Sequence, residues 1–213
     1  MMNMSNGAET RIKRSSEKII SAAEEVFLHH GFLGANMDAI ADVAGVSKQT
    51  VYAHYKSKEA LFVQVVERMT GGAAHDIGED IEDDFEGVSA DNYFLRVAID
   101  NLFIVMTPRL MRLRRMVIGE VERFPELGRS LNENGPGRTI ARLERAIEHF
   151  TRIGELRCNN PNSAAAHFNW LVMGGPTNAA MFLGDAGIPS KSALEAHARE
   201  GVRIFLAAFD GSG

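Results

Sequence analysis

The chain has 213 residues, 45% of them hydrophobic and 24% charged, with a net charge of −5, which is globular composition with apolar material for one fair-sized core or two small ones. No apolar run approaches the roughly 18 residues that a membrane-spanning helix needs, and the N-terminus lacks the apolar stretch of a secretory signal. The single Cys158 excludes a disulfide framework or a multi-thiolate zinc site within one chain, so a reducing cytoplasm is expected and no membrane.

In chain order, Ser15 or Ser16 is placed to cap a first helix whose apolar positions Ile19, Ala22, Ala23, Val26 and Phe27 follow the 3.6 period, with Gly31 as its stop. Asn36 caps a short second helix ended by Gly45, Ser47 caps a third, and Ser57 caps a fourth that carries Ala60, Leu61, Val65 and Val66. Residues 71–92 turn acidic, and a solvated loop or frayed helix end is expected there rather than a partner surface. Phe94 to Met106 is apolar nearly all round, the mark of a buried helix. A segment from Pro108 mixes Leu and Met with Arg109, Arg112, Arg114 and Arg115. Residues 137–153 carry Ile140, Leu143, Ile147, Phe150 and Ile153 on one stripe before Gly154. Asn160-Pro161 opens a helix toward Leu183, and a last helix follows Pro189. No strand alternation or repeat is present. The spacing predicts an all-α chain: an N-terminal three-helix helix-turn-helix domain over 1–70, then a helical bundle over 71–213.

Ala44-Gly45-Val46-Ser47 joins the second and third helices as a helix-turn-helix, with Gly45 supplying the positive φ of the sharp turn. Such a pair offers the start of its second helix to a major groove. Lys48, Gln49 and Thr50 occupy that first turn, where backbone N–H groups also favour phosphate. Gln suits adenine, Lys guanine or phosphate, and the Thr methyl thymine. Tyr52, His54 and Lys58 follow as candidate phosphate contacts, and Tyr55 fits either that role or the core beside Val51. Charge distribution agrees. Residues 1–70 hold eight Lys/Arg and eight Asp/Glu, so the acidic excess lies in 71–213, while Arg11, Lys13, Arg14 and Lys18 cluster near the start.

The block GFLGANMDAIADVAGVSKQTVYAHYKSKEALF resembles the DNA-binding domain of the TetR family of transcriptional regulators. The matching pieces are Gly31-Phe32, Ile40-Ala41, Ala44 to Ser47, Val51-Tyr52, His54-Tyr55 and Lys58 to Leu61, without gaps over about thirty residues. The resemblance implies DNA contacts from Asn36, Ser47, Lys48, Gln49, Thr50, Tyr52, His54 and Lys58. Asn36 stands where Ser or Thr is usual. VIGEVERFPELG and FNWLVMGGPTNAAMFLG resemble, more weakly, the C-terminal domain of AcrR- and AefR-like regulators.

The C-terminal region raises a dimer and an effector expectation. The stripe Ala164, Ala165, Phe168, Leu171, Val172, Ala179, Ala180 and Leu183 and the stripe Leu194, Ala198, Val202, Phe205 and Phe209 are expected to pair between two copies as an isologous four-helix interface, the alternative being the chain's own core. A hydrophobic effector is expected between helices, lined by Phe94, Val97, Phe103, Met106, Met111, Met116, Phe150, Trp170 and Met173, with Asn101, Asn169 or Asn178 as polar anchors. Residue by residue, ordinary core is the competing assignment, because Met fills irregular gaps anyway. If one of the arginines near 109–115 points inward, an anionic, fatty-acid-like ligand is also admitted. His149, His167 and His197 lie on separate helices and fit polar or interface positions better than a metal site. No nucleophile elbow and no phosphate loop after a strand appear, so neither enzyme activity nor a cofactor is expected. The reading is a cytoplasmic homodimeric regulator, a repressor released from a palindromic operator by a small hydrophobic effector. An activator of the same family and a helical adaptor or ligand carrier without DNA binding are the alternatives.

Overall fold

Caps and glycines set the ends of most helices. The structure, a computed structural model, describes the backbone of residues 5–76, 85 and 87–210 and the side chains of 10–71, 85 and 87–210. Among them are ten α-helices and no β-strand: α1 Ser5–Gly34, α2 Met37–Ala44, α3 Lys48–His54, α4 Lys58–Asp76, α5 Ala90–Val105, α6 Pro108–Glu120, α7 Pro125–Asn132, α8 Arg138–Arg152, α9 Pro161–Leu183 and α10 Lys191–Ala208. One isolated antiparallel bridge joins Leu156 to Asp210.

Most expected caps hold. Asn36 Oδ1 accepts from the Ala39 N–H at 2.8 Å, Ser47 Oγ from Thr50 and Ser57 Oγ from Ala60. Ser15 and Ser16 are not caps, because the helical run begins at Ser5 and the intervening sequence contains good helix formers with no stop. Gly31, at φ 73° and ψ 169°, does break α1 three residues before its end. Of residues 71–92, expected as a solvated loop or frayed helix end, 71–76 are the end of α4 and 90–92 the start of α5; residues 77–84 and 86 lie outside the described set. Helix α7 and the π-helical turn Glu133–Gly137 were not legible as elements. Pro136 removes a ladder N–H there, and a Cβ at Gly137 would lie 3.0 Å from the Asn132 carbonyl oxygen.

The chain forms two compact units. One contains the chain up to Met69 together with Met116–Ser130; the other contains Thr70–Arg115 and the chain from Leu131 onward. A linear division at residue 70 therefore omits a returning segment. In the first unit Phe27, Phe32 and Phe62 meet with ring centroids 4.7–5.9 Å apart, and Phe124 packs edge-on against Phe32 at 5.1 Å. Ile19, Ile40, Val51, Leu61 and Val65 are fully buried, which fixes the angle between α2 and α3 through apolar packing. Arg68 ties α4 to α1 through Ser21 and Glu24.

In the second unit the core gathers Phe94, Phe168 and Phe205, with centroids 4.9–5.2 Å apart, and Phe150 beside Phe94. Here the expectation about the two stripes is corrected. Ala164, Ala165, Phe168, Val172, Ala180, Leu194, Ala198, Val202 and Phe205 are buried within the chain itself, because α5 and α8 bring apolar faces that cover them. Of the same stripes Leu171, Ala179 and Phe209 are half-buried and Leu183 is 67% exposed, and beside them Trp170, Phe182 and Ile204 are 54%, 79% and 43% exposed. Asp185, just beyond α9, accepts from Arg112 and Arg115, each at 2.7 Å, and Arg115 also donates to the Ala180 carbonyl.

Candidate functional site

The helix-turn-helix is built by local sequence. Gly45 at φ 65° caps α2 in the left-handed conformation, and its N–H bonds back to Ala41 and Asp42. The next two residues reverse the chain so that Ser47 opens α3. Val51 is fully buried, which leaves the first turn of α3 outward. Ser47, Lys48, Gln49 and Tyr52 are exposed, and Thr50 and His54 half-buried. The Gln49 amide has no hydrogen-bond partner among the described residues, so both its donor and acceptor edges are available.

Two lysines differ from the simple picture of free basic groups. Lys48 pairs with Asp38 at 2.7 Å, and the hydrogen bond with its carboxylate raises the ammonium's pKa. The pair is open to water, so a phosphate can compete for that ammonium. Lys58 is half-buried and donates to the Phe32 carbonyl at 2.8 Å and the Ala35 carbonyl at 3.0 Å, with its Nζ 4.6 Å from the Phe32 ring centroid. Two of its three N–H groups thus hold the chain between α1 and α2. Tyr55 closes α3, and its hydroxyl lies 2.7 Å from Ser16 Oγ, so it serves the packing of α3 on α1.

The second unit encloses a cavity of about 80 Å³, mostly apolar. Helix α9 contributes Asn169, Met173 and Thr177 at successive four-residue steps, plus Trp170; α5 contributes Asn101 and Val105; α6 contributes Leu110, Met111, Leu113 and Arg114. The π-helical turn supplies Asn134 to Pro136. Of the residues expected to line an effector site, Met111, Trp170, Met173, Asn101 and Asn169 come together here. Phe94, Val97 and Phe150 do not; they are at most 1% exposed and packed into the aromatic core. Phe103 and Met106 also pack with the core, Phe103 under the Lys191 ammonium, and Met116 belongs to the first unit. Asn178 is exposed. The periodicity of an all-round apolar helix cannot say which of its faces meets a cavity, and that is why these assignments diverge.

Of the arginines near 109–115, Arg114 is the one that lines the cavity, while Thr177 is a lining residue the sequence did not suggest. Arg112 and Arg115, three residues apart, share the face toward Asp185, and Arg114 points elsewhere because positions two apart do not face each other. Among the described residues no group of three or more His, Cys, Asp or Glu could hold a metal ion, and no helix is long and apolar enough to cross a membrane.

Comparison with known proteins agrees with this arrangement. Residues 19–65 match the family described as bacterial regulatory proteins, tetR family, and residues 95–211 match the C-terminal domain of AefR-like transcriptional repressors. The transcriptional activator FasR of Mycolicibacterium smegmatis is 42% identical over 65 residues, 30% of this chain and 30% of that protein, so this curated relative is matched over well under two thirds of its length. A structure assigned to a TetR-family transcriptional regulator of Mesorhizobium loti MAFF303099 is 34% identical, with a TM-score of 0.87 over 94% of this chain and 98% of that one. The flavonoid-responsive regulator FrrA is 30% identical, with a TM-score of 0.78 over 94% of this chain and 100% of its own. With the helix-turn-helix and the bundle both matched, the chain belongs to the TetR family of transcriptional regulators.

Proposed function

We propose that this protein is a cytoplasmic, homodimeric DNA-binding regulator, a repressor that leaves a palindromic operator when a small, largely apolar effector enters the cavity of its second unit. The observation that carries the reading is the outward first turn of α3, where Ser47, Lys48 and a Gln49 with no partner among the described residues stand beside exposed Tyr52. Asn36, Thr50, His54 and Lys58 complete the proposed contact set, Lys58 by fixing the chain before α2. Catalysis has no role in this reading.

The cavity supports the effector role. At about 80 Å³ it holds a few waters, each needing about 10–15 Å³ by the same kind of measure, and a larger guest must move Met111, Met173 or Trp170. Helix α6 supplies Met111 and Arg114 to the cavity and its last residues to the first unit. A guest that binds only with α6 displaced therefore selects one conformation of the protein over another. Responsiveness to a flavonoid in FrrA is of a kind with a small, flat, mostly apolar ligand. Repression follows the AefR-like match, and the naming of FasR as an activator keeps the opposite outcome at the promoter as a second reading.

The test is a gel shift with the DNA upstream of the protein's own gene at two salt concentrations, against random DNA of equal length. Specific retention that weakens as salt rises supports the reading. Equal retention of both DNAs sinks it, and a promoter-reporter assay separates repression from activation.

A further inference from the structure

The cavity in the second unit is lined by a charge that no described residue answers. Arg114 lines it, half-buried, and has no hydrogen bond or ion pair among the described residues. Its neighbours Arg112 and Arg115 are both committed to Asp185. Thr177, 7% exposed, lines the same cavity with its Oγ1 buried and unpartnered. The amides of Asn101 and Asn169, each 5% exposed, also line it and have no hydrogen-bond partner among the described residues. A buried polar atom is nearly always paired, so the Thr177 hydroxyl needs an explanation.

Resting on the reading of this cavity as the effector site, we infer that its ligand is an amphiphilic anion: a carboxylate or similar oxyanion held by Arg114, with the Thr177 hydroxyl as a second donor and an apolar body lying along Met111, Trp170 and Met173. A guanidinium stays protonated in proteins, and its planar fork fits a carboxylate with two parallel hydrogen bonds. Burial pushes the Arg114 pKa down, so an anion relieves a desolvation that no protein carboxylate relieves among the described residues. A neutral ligand leaves that guanidinium unpaired.

The measurement uses the full chain and two matched pairs of probes, decanoate with 1-decanol and 2-naphthoate with 2-naphthylmethanol. Calorimetry gives the affinities, and emission of Trp170, the one tryptophan of the chain, reports entry. At least one acid should bind ten-fold or more tightly than its alcohol. Arg114→Gln should erase that ratio while leaving the alcohol's affinity within about two-fold, Arg114→Lys should keep some of it, and Thr177→Val should lower the acid's affinity several-fold. The wild-type ratio needs no variant and so survives any failure of Arg114→Gln to fold. Alcohols that bind as tightly as their acids overturn the anion and leave the apolar cavity standing. If none of the four binds, the effector cavity itself is overturned, and the anion with it.

Discussion

Lys58 shows how one side chain can be assigned to DNA by its type and to the fold by its contacts. Its donations to the Phe32 and Ala35 carbonyls sit at the junction that orients α2. Lys58→Ala leaves two half-buried carbonyls unanswered and should lower stability by about 1–3 kcal/mol in urea unfolding. An unchanged midpoint would remove this structural role. If the third N–H also meets a phosphate, the folded variant loses affinity equally on specific and random DNA, and the salt slope flattens by about one. Gln49 is the contrasting case, exposed and without a partner among the described residues. Gln49→Ala should not change the melting temperature, yet should cost about 1–3 kcal/mol on the operator and little on random DNA. Equal losses on both, measured by fluorescence anisotropy, would take it out of base reading.

Among the elements, α9 and α10 are held by their own chain. Phe205 is 3% exposed and packed against Phe94 and Phe168, so Phe205→Ala should cost about 3–5 kcal/mol of stability. A loss under about 1 kcal/mol by denaturant titration would contradict that packing. The end of α9 is anchored differently, by Asp185. Hydrogen bonds from Arg115 and then Arg112 hold its carboxyl below the usual aspartate range. A depressed carboxyl contributes stability above its unfolded value of about 4 and loses it as the pH falls through the lower folded value. The gap in melting temperature between wild type and Asp185→Asn should therefore be constant from pH 7 to about pH 5 and close below about pH 4. A gap that does not begin to shrink as the pH falls below about 4 would show that the carboxylate charge is not what anchors α9.

For the whole molecule, the exposed end of α9 is the surface we propose for a second copy. Phe182 and Leu183, adjacent at the end of α9, are 79% and 67% exposed, and neighbouring apolar side chains this open mark an association surface. Phe182→Glu should convert the dimer to a monomer by light scattering while leaving the circular dichroism of the helices unchanged. A variant that still runs as the wild-type dimer would move the interface elsewhere on the surface.

Residue order alone was enough for the all-α class, the helix-turn-helix with its caps at Asn36, Ser47 and Ser57, and the exposed first turn of α3. All of these follow from short-range physics: a cap acts within three residues, and a glycine at positive φ turns the chain where it stands. Tertiary packing was needed to settle which apolar faces cover one another, why Phe94 and Phe150 are core while Met111 and Met173 face a cavity, and which arginine of 109–115 points inward. It also returned Met116–Ser130 to the first unit and gave Lys58 to the backbone. Hydrophobic burial has no direction of its own, so a stripe along one helix records that it will be covered and leaves the covering element to the packing of the whole chain.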